Sequence, residues 1–162
     1  MSGSPRPPGY RTPGPASTTV TCMTWLTTPA HHRWLESETD RLLSFGRAAA
    51  DPAGGFTRLD DDGRPLDGPA ELWITCRMTH VYALGALLGR PGCAPLVDHG
   101  LRALSEVFHD AEHGGWFTEV GPRDDSKGAY PHAFVVLAAS SATAAGRPGA
   151  RALLDEALAV SQ

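Results

Sequence analysis

The sequence predicts an all-α fold, with about five helices joined as antiparallel hairpins in the manner of an α/α barrel or α-solenoid. Three observations lead there. Five stretches with helical periodicity are separated by turn-rich connections, and helices apolar on nearly every side alternate with helices apolar on one side. Of 162 residues 41% are hydrophobic and 20% charged, an ordinary globular balance that supplies a core.

The first pattern runs from about Pro29 to Ala50. Thr28 and Pro29 form an N-cap and first-turn proline, and Leu35, Thr39, Leu42, Phe45 and Ala49 recur at spacings of three and four. Residues 54–66, with an Asp-Gly step at Asp62-Gly63, read as a short β-hairpin or ordered loop. The second helix, about Pro69 to Leu88, is apolar around most of its circumference and must be covered on most of it. Gly89-Arg90-Pro91-Gly92 ends it, and Pro95 to Asp110 forms a third helix with one apolar stripe. Residues 114–120 make a short strand-like excursion in which Trp116 packs a loop against the rim. A fourth helix, about Tyr130 to Ala145, is apolar and rich in small residues, and a fifth runs from about Pro148 to Val160. The order is outer, inner, outer, inner, outer.

Residues 1–22 contain five Pro, three Gly, three Ser and four Thr and no acidic residue, which predicts a disordered tail rather than part of the fold. They lack the apolar core of a secretory signal, and their prolines oppose the amphipathic helix of a transit peptide. Fourteen Lys and Arg against eighteen Asp and Glu give a net charge of −4, without the basic footprint of a nucleic-acid binder. No apolar run reaches the roughly 18 residues of a membrane span. Cys22, Cys76 and Cys93 form an odd set without CxxC or zinc spacing, which points to the reducing cytoplasm, with Cys76 a buried small hydrophobe.

Six ordered motifs carry a resemblance. They are Arg33-Trp34-Leu35-Glu36 with Glu38-Thr39-Asp40, the run Trp73-Ile74-Thr75-Cys76-Arg77-Met78-Thr79-His80-Val81-Tyr82, Gly89-Arg90-Pro91-Gly92, Leu96-Val97-Asp98-His99-Gly100, Gly114-Gly115-Trp116, and Ser126-Lys127 before Tyr130-Pro131-His132. Spanning about Thr24 to Val160, they resemble the N-acylglucosamine 2-epimerase family, and within it the mannose/sulfoquinovose isomerase branch. The resemblance implies an (α/α)6 barrel of six hairpins around a sugar pocket, and aldose-ketose interconversion or C2 epimerisation without metal or cofactor. Such a barrel needs about twelve helices, so residues 23–162 would be its N-terminal portion. The histidines that the resemblance implies as acid and base would then lie on later helices absent from this chain. The faces of the second and fourth helices would be uncovered, inviting self-association. The competing reading is a non-catalytic α-helical module that binds carbohydrate or assembles with a partner.

Abstracting a proton beside a carbonyl needs a base, and the enediolate formed needs donors or cations around its oxygen. By resemblance Arg77 points into the pocket and supplies that cation; otherwise it pairs with a carboxylate such as Glu36 or Glu71. Tyr130 matches a tyrosine that hydrogen-bonds a sugar hydroxyl, or else bridges core and solvent. His132 and His80 are either sugar contacts or hydrogen-bonded core histidines. Trp73 stacks on a sugar face or fills the core beside Ile74.

Other clusters read as structural. His109-Asp110-Ala111-Glu112-His113 spells the H-x-x-E-H zinc motif, but Gly114-Gly115 follows at once, so a solvated helix end is the better account. His31-His32 reads as an exposed helix start. Asp60-Asp61-Asp62-Gly63 reads as a turn, since the spaced ligands and terminal Glu of a calcium loop are missing.

Overall fold

The computed structural model describes residues 25–119 and 127–160. Its helices are α1 (Pro29–Gly46), continued by a 3-10 turn (Arg47–Ala49), α2 (Leu72–Leu87), α3 (Cys93–Glu106), α4 (Ala129–Ala144) and α5 (Ala150–Val160). The predicted tail, residues 1–22, lies outside the described residues. Among the described residues no helix is long and apolar enough to cross a membrane.

Contacts divide the chain within α1, between Leu35 and Glu36. In the first unit Thr28 caps α1 as expected, its Oγ1 accepting the His31 N–H at 3.2 Å and donating to Trp25 O at 2.9 Å. The expected exposed histidine pair is only half right. His32 is exposed, but His31 is buried, with the Trp25 ring centroid 3.9 Å away and that of Trp34 5.9 Å away.

The second unit is built on a repeat. From α2 onward, corresponding helices begin 57 residues apart, α2 and α4 at 72 and 129, α3 and α5 at 93 and 150. The turns between them have the same sequence, Gly89-Arg90-Pro91-Gly92 and Gly146-Arg147-Pro148-Gly149. In each turn the arginine reaches back to an aspartate on an outer helix. Arg90 lies 3.4 Å from Asp40 of α1, and Arg147 makes two bonds to Asp98 of α3, at 2.9 and 2.5 Å.

The connections preceding α2 and α4 also match. Both carry Gly-Gly-aromatic, at Gly54-Gly55-Phe56 and Gly114-Gly115-Trp116, and both wrap it around an aspartate. The Asp51 N–H donates to Gly55 O at 3.0 Å and the Asp110 N–H to Gly115 O at 2.9 Å. Each aspartate Oδ1 accepts a following backbone N–H, Ala53 in one case and Glu112 in the other. Phe56 and Trp116 are then fully buried, and their backbone N–H groups need acceptors. Thr75 Oγ1 takes the first at 3.0 Å and His132 Nε2 the second at 3.1 Å. Thr75 and His132 are each the fourth residue of their helix. A methyl group on Gly55 would come within 2.7 Å of Thr75 Oγ1, and one on Gly115 within 2.7 Å of His132 Nε2, so the approach demands glycine at both places.

Packing follows. His99 of α3 donates from Nε2 to Gly55 O at 2.7 Å, the carbonyl being able only to accept, and the Trp116 indole N–H donates to Leu104 O at 2.8 Å. The core joins Leu72, Cys76 and Tyr82 of α2, Val97 and Leu104 of α3, Val135 and Ala139 of α4, and Leu153 of α5. Cys76 is buried, as the sequence predicts. Phe134 lies beside Arg77 and Ser141 beside His80, so α2 and α4 run in the same direction as neighbouring inner helices, while the short turns send α3 and α5 back outside.

Several boundaries differ from expectation, among them the end of α1, which tightens to a 3-10 turn after Gly46, and the start of α3, at Cys93 rather than Pro95. Helix α2 starts at Leu72 rather than Pro69, because Glu71 is extended and bridges to Glu119 while the Leu72 N–H bonds to Thr118 O. Helix α3 ends at Glu106 rather than Asp110, because His109 pairs with Trp116 in a β-bridge. Helix α5 starts at Ala150, since Pro148 belongs to the repeated turn. The H-x-x-E-H stretch is therefore loop, not helix end. His109 goes to Glu156 of α5 at 2.6 Å, whereas His113 lies 3.5 Å from Asp110. Asp60 closes its own turn, with Oδ1 accepting the N–H groups of Asp62 and Arg64.

The face of α2 turned away from α3 is open. Val81, Leu84 and Leu87 are exposed, and with Leu42, Phe45 and Met78 most of them border an apolar groove of about 830 Å³ between α1 and α2.

Two outcomes are expected. Gly115→Ala should cost the roughly 1–2 kcal/mol of a left-handed backbone plus the displacement of His132. Gly114→Ala, with similar φ and open space around its Cβ, should carry only the backbone part, and thermal melts compare the two. Asp110 is held well below the usual carboxylate range, first by the Lys127 ammonium at 2.5 Å and next by the His113 N–H. A depressed carboxylate stabilises fully above its unfolded value of about 3.9 and loses that contribution as pH falls toward its folded value. Asp110→Asn should therefore lower stability near neutrality and flatten the acid side of a melting-temperature profile.

Candidate functional site

The repeat aligns the inner helices so that Trp73 and Arg77 of α2 correspond to Tyr130 and Phe134 of α4. A spacing of four residues puts each pair on one helix face, and the two faces adjoin. Arg77 is exposed, its guanidinium carbon 5.3 Å from the Trp73 ring centroid and 5.1 Å from that of Phe134. A cation over aromatic faces is attracted by the ring quadrupoles, each contact contributing about 0.5–1 kcal/mol at an exposed site. The Tyr130 ring lies edge-on to Phe134 at 5.0 Å, and Tyr130 is 68% exposed. Three of the residues singled out from sequence, Trp73, Arg77 and Tyr130, thus share one surface through Phe134.

Of the carboxylates considered for Arg77, Glu71 serves elsewhere. One oxygen accepts the Trp73 indole N–H at 2.6 Å and the other accepts Arg58 at 2.8 Å. Those bonds hold in place the indole over whose face Arg77 lies. Among the described residues the neighbours of the Arg77 guanidinium are aromatic rings, and its exposure spares it the desolvation that made an ion pair attractive.

His80 follows Arg77 by three residues on the same side of α2, half-buried, with Nδ1 2.6 Å from Ser141 Oγ on α4. His132 lies elsewhere. It is two residues from Tyr130, which on a helix is the opposite side, and it is buried. Its Nδ1 donates to Gly128 O at 2.8 Å while Nε2 accepts the Trp116 N–H. Both ring nitrogens are taken by backbone partners, the arrangement of a hydrogen-bonded core histidine. Trp116 packs the loop as expected.

Phe134, Ser141 and Arg58 were missed from sequence, and Glu71 was considered only as a partner for Arg77, not for Trp73 and Arg58. Phe134 and Ser141 stand four and eleven residues after Tyr130, a helical spacing that signals the shared face once Tyr130 is singled out. Glu71 and Arg58 lie on connections whose contacts no periodicity reveals.

Inner helices that run alike, each followed by an outer helix running back, define an α/α barrel of repeated hairpins, of which this chain holds part. Solved structures share the arrangement. A crystal structure of a D-mannose isomerase matches with a TM-score of 0.70 at 24% identity, over 79% of this chain and 35% of that one. Cellobiose 2-epimerase from Spirochaeta thermophila DSM 6192 matches at 0.66 and 27% identity, over 83% and 37%. The model of the N-acylglucosamine 2-epimerase family matches residues 54–162, and the chain belongs to that family. A D-mannose isomerase of Thermobifida fusca is 54% identical over 141 residues, covering 84% of this chain and 35% of that protein. One from Pseudomonas cannabina pv. alisalensis is 52% identical over 147 residues, covering 88% and 35%. The chain spans about a third of the length of these curated relatives.

Different sides of α4 predict different responses. His132→Ala leaves the buried Trp116 N–H without its acceptor and should cost about 1–3 kcal/mol, seen as a lower melting temperature by tryptophan fluorescence. Tyr130→Phe, on the exposed side, should change stability by less than about 0.5 kcal/mol.

Proposed function

We propose that this chain supplies part of the sugar-binding wall of an aldose-ketose isomerase acting on mannose or a mannose-like sugar, through a metal-free enediolate mechanism. The observation that carries this is the exposed Arg77 guanidinium between Trp73 and Phe134, with Tyr130 beside them, in a chain more than half identical to proteins named D-mannose isomerase. In this reading Arg77 holds a sugar oxygen and stabilises the charge that develops on it as the proton beside the carbonyl leaves. Its charge is permanent, so it serves at any working pH. Tyr130 donates to or accepts from a sugar hydroxyl, Trp73 offers an apolar face to the ring, and His80 contributes a ring nitrogen. The acid and base histidines come from the part of the barrel that the relatives have and this chain does not span, so the 162-residue chain alone is inactive. The open face of α2, including Val81 and Leu84, is where that remainder sits, and where the isolated chain self-associates. Buried free thiols at Cys76 and Cys93 support a cytoplasmic setting.

The test is conversion of mannose and of sulfoquinovose to their ketoses by this chain, and by the chain extended to the length of its relatives, with and without a chelator. Only the extended chain should convert, and chelator should change nothing. Arg77→Met in the extended chain should lower the rate by on the order of 10²-fold. Conversion by the 162-residue chain would overturn the assignment of the acid and base to absent helices, and chelator sensitivity would overturn the metal-free mechanism.

A further inference from the structure

The seam between α2 and α4 contains a hydrogen-bond relay that fixes a proton. Ser141 Oγ lies 2.9 Å from Leu137 O, one turn back on α4, and 2.6 Å from His80 Nδ1. A hydroxyl has one proton and a carbonyl oxygen can only accept, so the proton goes to Leu137 and the Ser141 oxygen receives one from His80. The same backward hydroxyl bond is made by Thr143 to Ala139 O and by Thr79 to Thr75 O, each at 2.7 Å. Nδ1 of His80 is then the protonated nitrogen, and in the neutral ring Nε2 carries the lone pair.

We propose that Ser141 is a positioning residue that holds His80 in the Nδ1–H tautomer, making Nε2 the accepting nitrogen on the helix face that carries Arg77. The group it would accept from is a hydroxyl of a polyol. That identity rests on the sugar-isomerase reading, whereas the tautomer rests only on the Ser141 and Leu137 geometry. Arg77 and His80 thus divide the work on one face, the arginine serving only as donor and the histidine as acceptor.

The chain contains its own reference groups. His132 donates from Nδ1 to Gly128 O, and His99 donates from Nε2 to Gly55 O, so the two tautomers are fixed by carbonyl partners elsewhere in the fold. Long-range proton-nitrogen correlation spectra of the 162-residue chain, recorded about two pH units above the ordinary histidine value of about 6.5, distinguish them. The His80 pattern should match that of His132 and oppose that of His99. Ser141→Ala should lose the Nδ1–H pattern at His80 alone, and Ser141→Thr should keep it. An Nε2–H pattern at His80 in the unsubstituted chain would overturn the proposal, whether or not the alanine variant folds. So would an unchanged pattern in Ser141→Ala. Titration with mannose of the chain extended to the length of its relatives separates the two ideas. Movement of the His80 Nε2 resonance supports the sugar contact, and an unmoved one overturns that contact while the tautomer assignment stands.

Discussion

A backbone N–H carried into an apolar interior costs about 1–3 kcal/mol if it finds no acceptor. Phe56 and Trp116 both carry one there, because the aromatic ring at the tip of each long connection is what fills the space between an outer and an inner helix. Thr75 and His132 answer that demand from equivalent places, the fourth residue of α2 and of α4. Much else depends on the two bonds. They dictate glycine before each aromatic residue, and they place the first turn of each inner helix relative to the loop that precedes it. The side chains of that first turn and the next, Trp73, Arg77, Tyr130 and Phe134, are thereby set on one surface. One role is filled by a hydroxyl in one repeat and an imidazole in the other, so it is the acceptor rather than the residue type that the fold requires.

The surface so formed mixes two kinds of interaction. Glu71 and Arg58 fix the Trp73 indole by charge-assisted hydrogen bonds, and the indole with Phe134 fixes the guanidinium of Arg77. Among the described residues Arg77 is thus oriented by aromatic rings rather than by a carboxylate.

The helices were legible in the sequence because their apolar periodicity is strong, and the alternation of all-round and one-sided patterns correctly predicted the inner and outer layers. What escaped were interactions between distant residues. Nothing local to Val107–Asp110 shows that His109 will bridge to Trp116 instead of continuing α3, and the Glu71 bridge to Glu119 likewise shortens α2. The repeat was visible, since Gly-Arg-Pro-Gly occurs twice at a spacing of 57, but each occurrence read on its own is only a helix stop. For the site, motif context singled out Arg77, Trp73 and Tyr130, and helical geometry keeps them together. The same geometry separates His132 from Tyr130, two positions apart in sequence and on opposite sides of α4. Phe134 and Ser141 were hidden because an aromatic ring and a small hydroxyl in an apolar helix look like core.

The short turns have a consequence for how the chain reaches this state. Residues 88–92 and 145–149 link each inner helix to the outer helix that covers it, so those pairings close loops of only a few residues. The entropy of closure rises slowly with loop length, but non-local pairings still set the slow step in folding. Here each hairpin can form from its own segment, and the next is added through one buried aromatic residue and one acceptor. Hairpins joined this way can form in chain order, each from its own stretch, before the next is added to it.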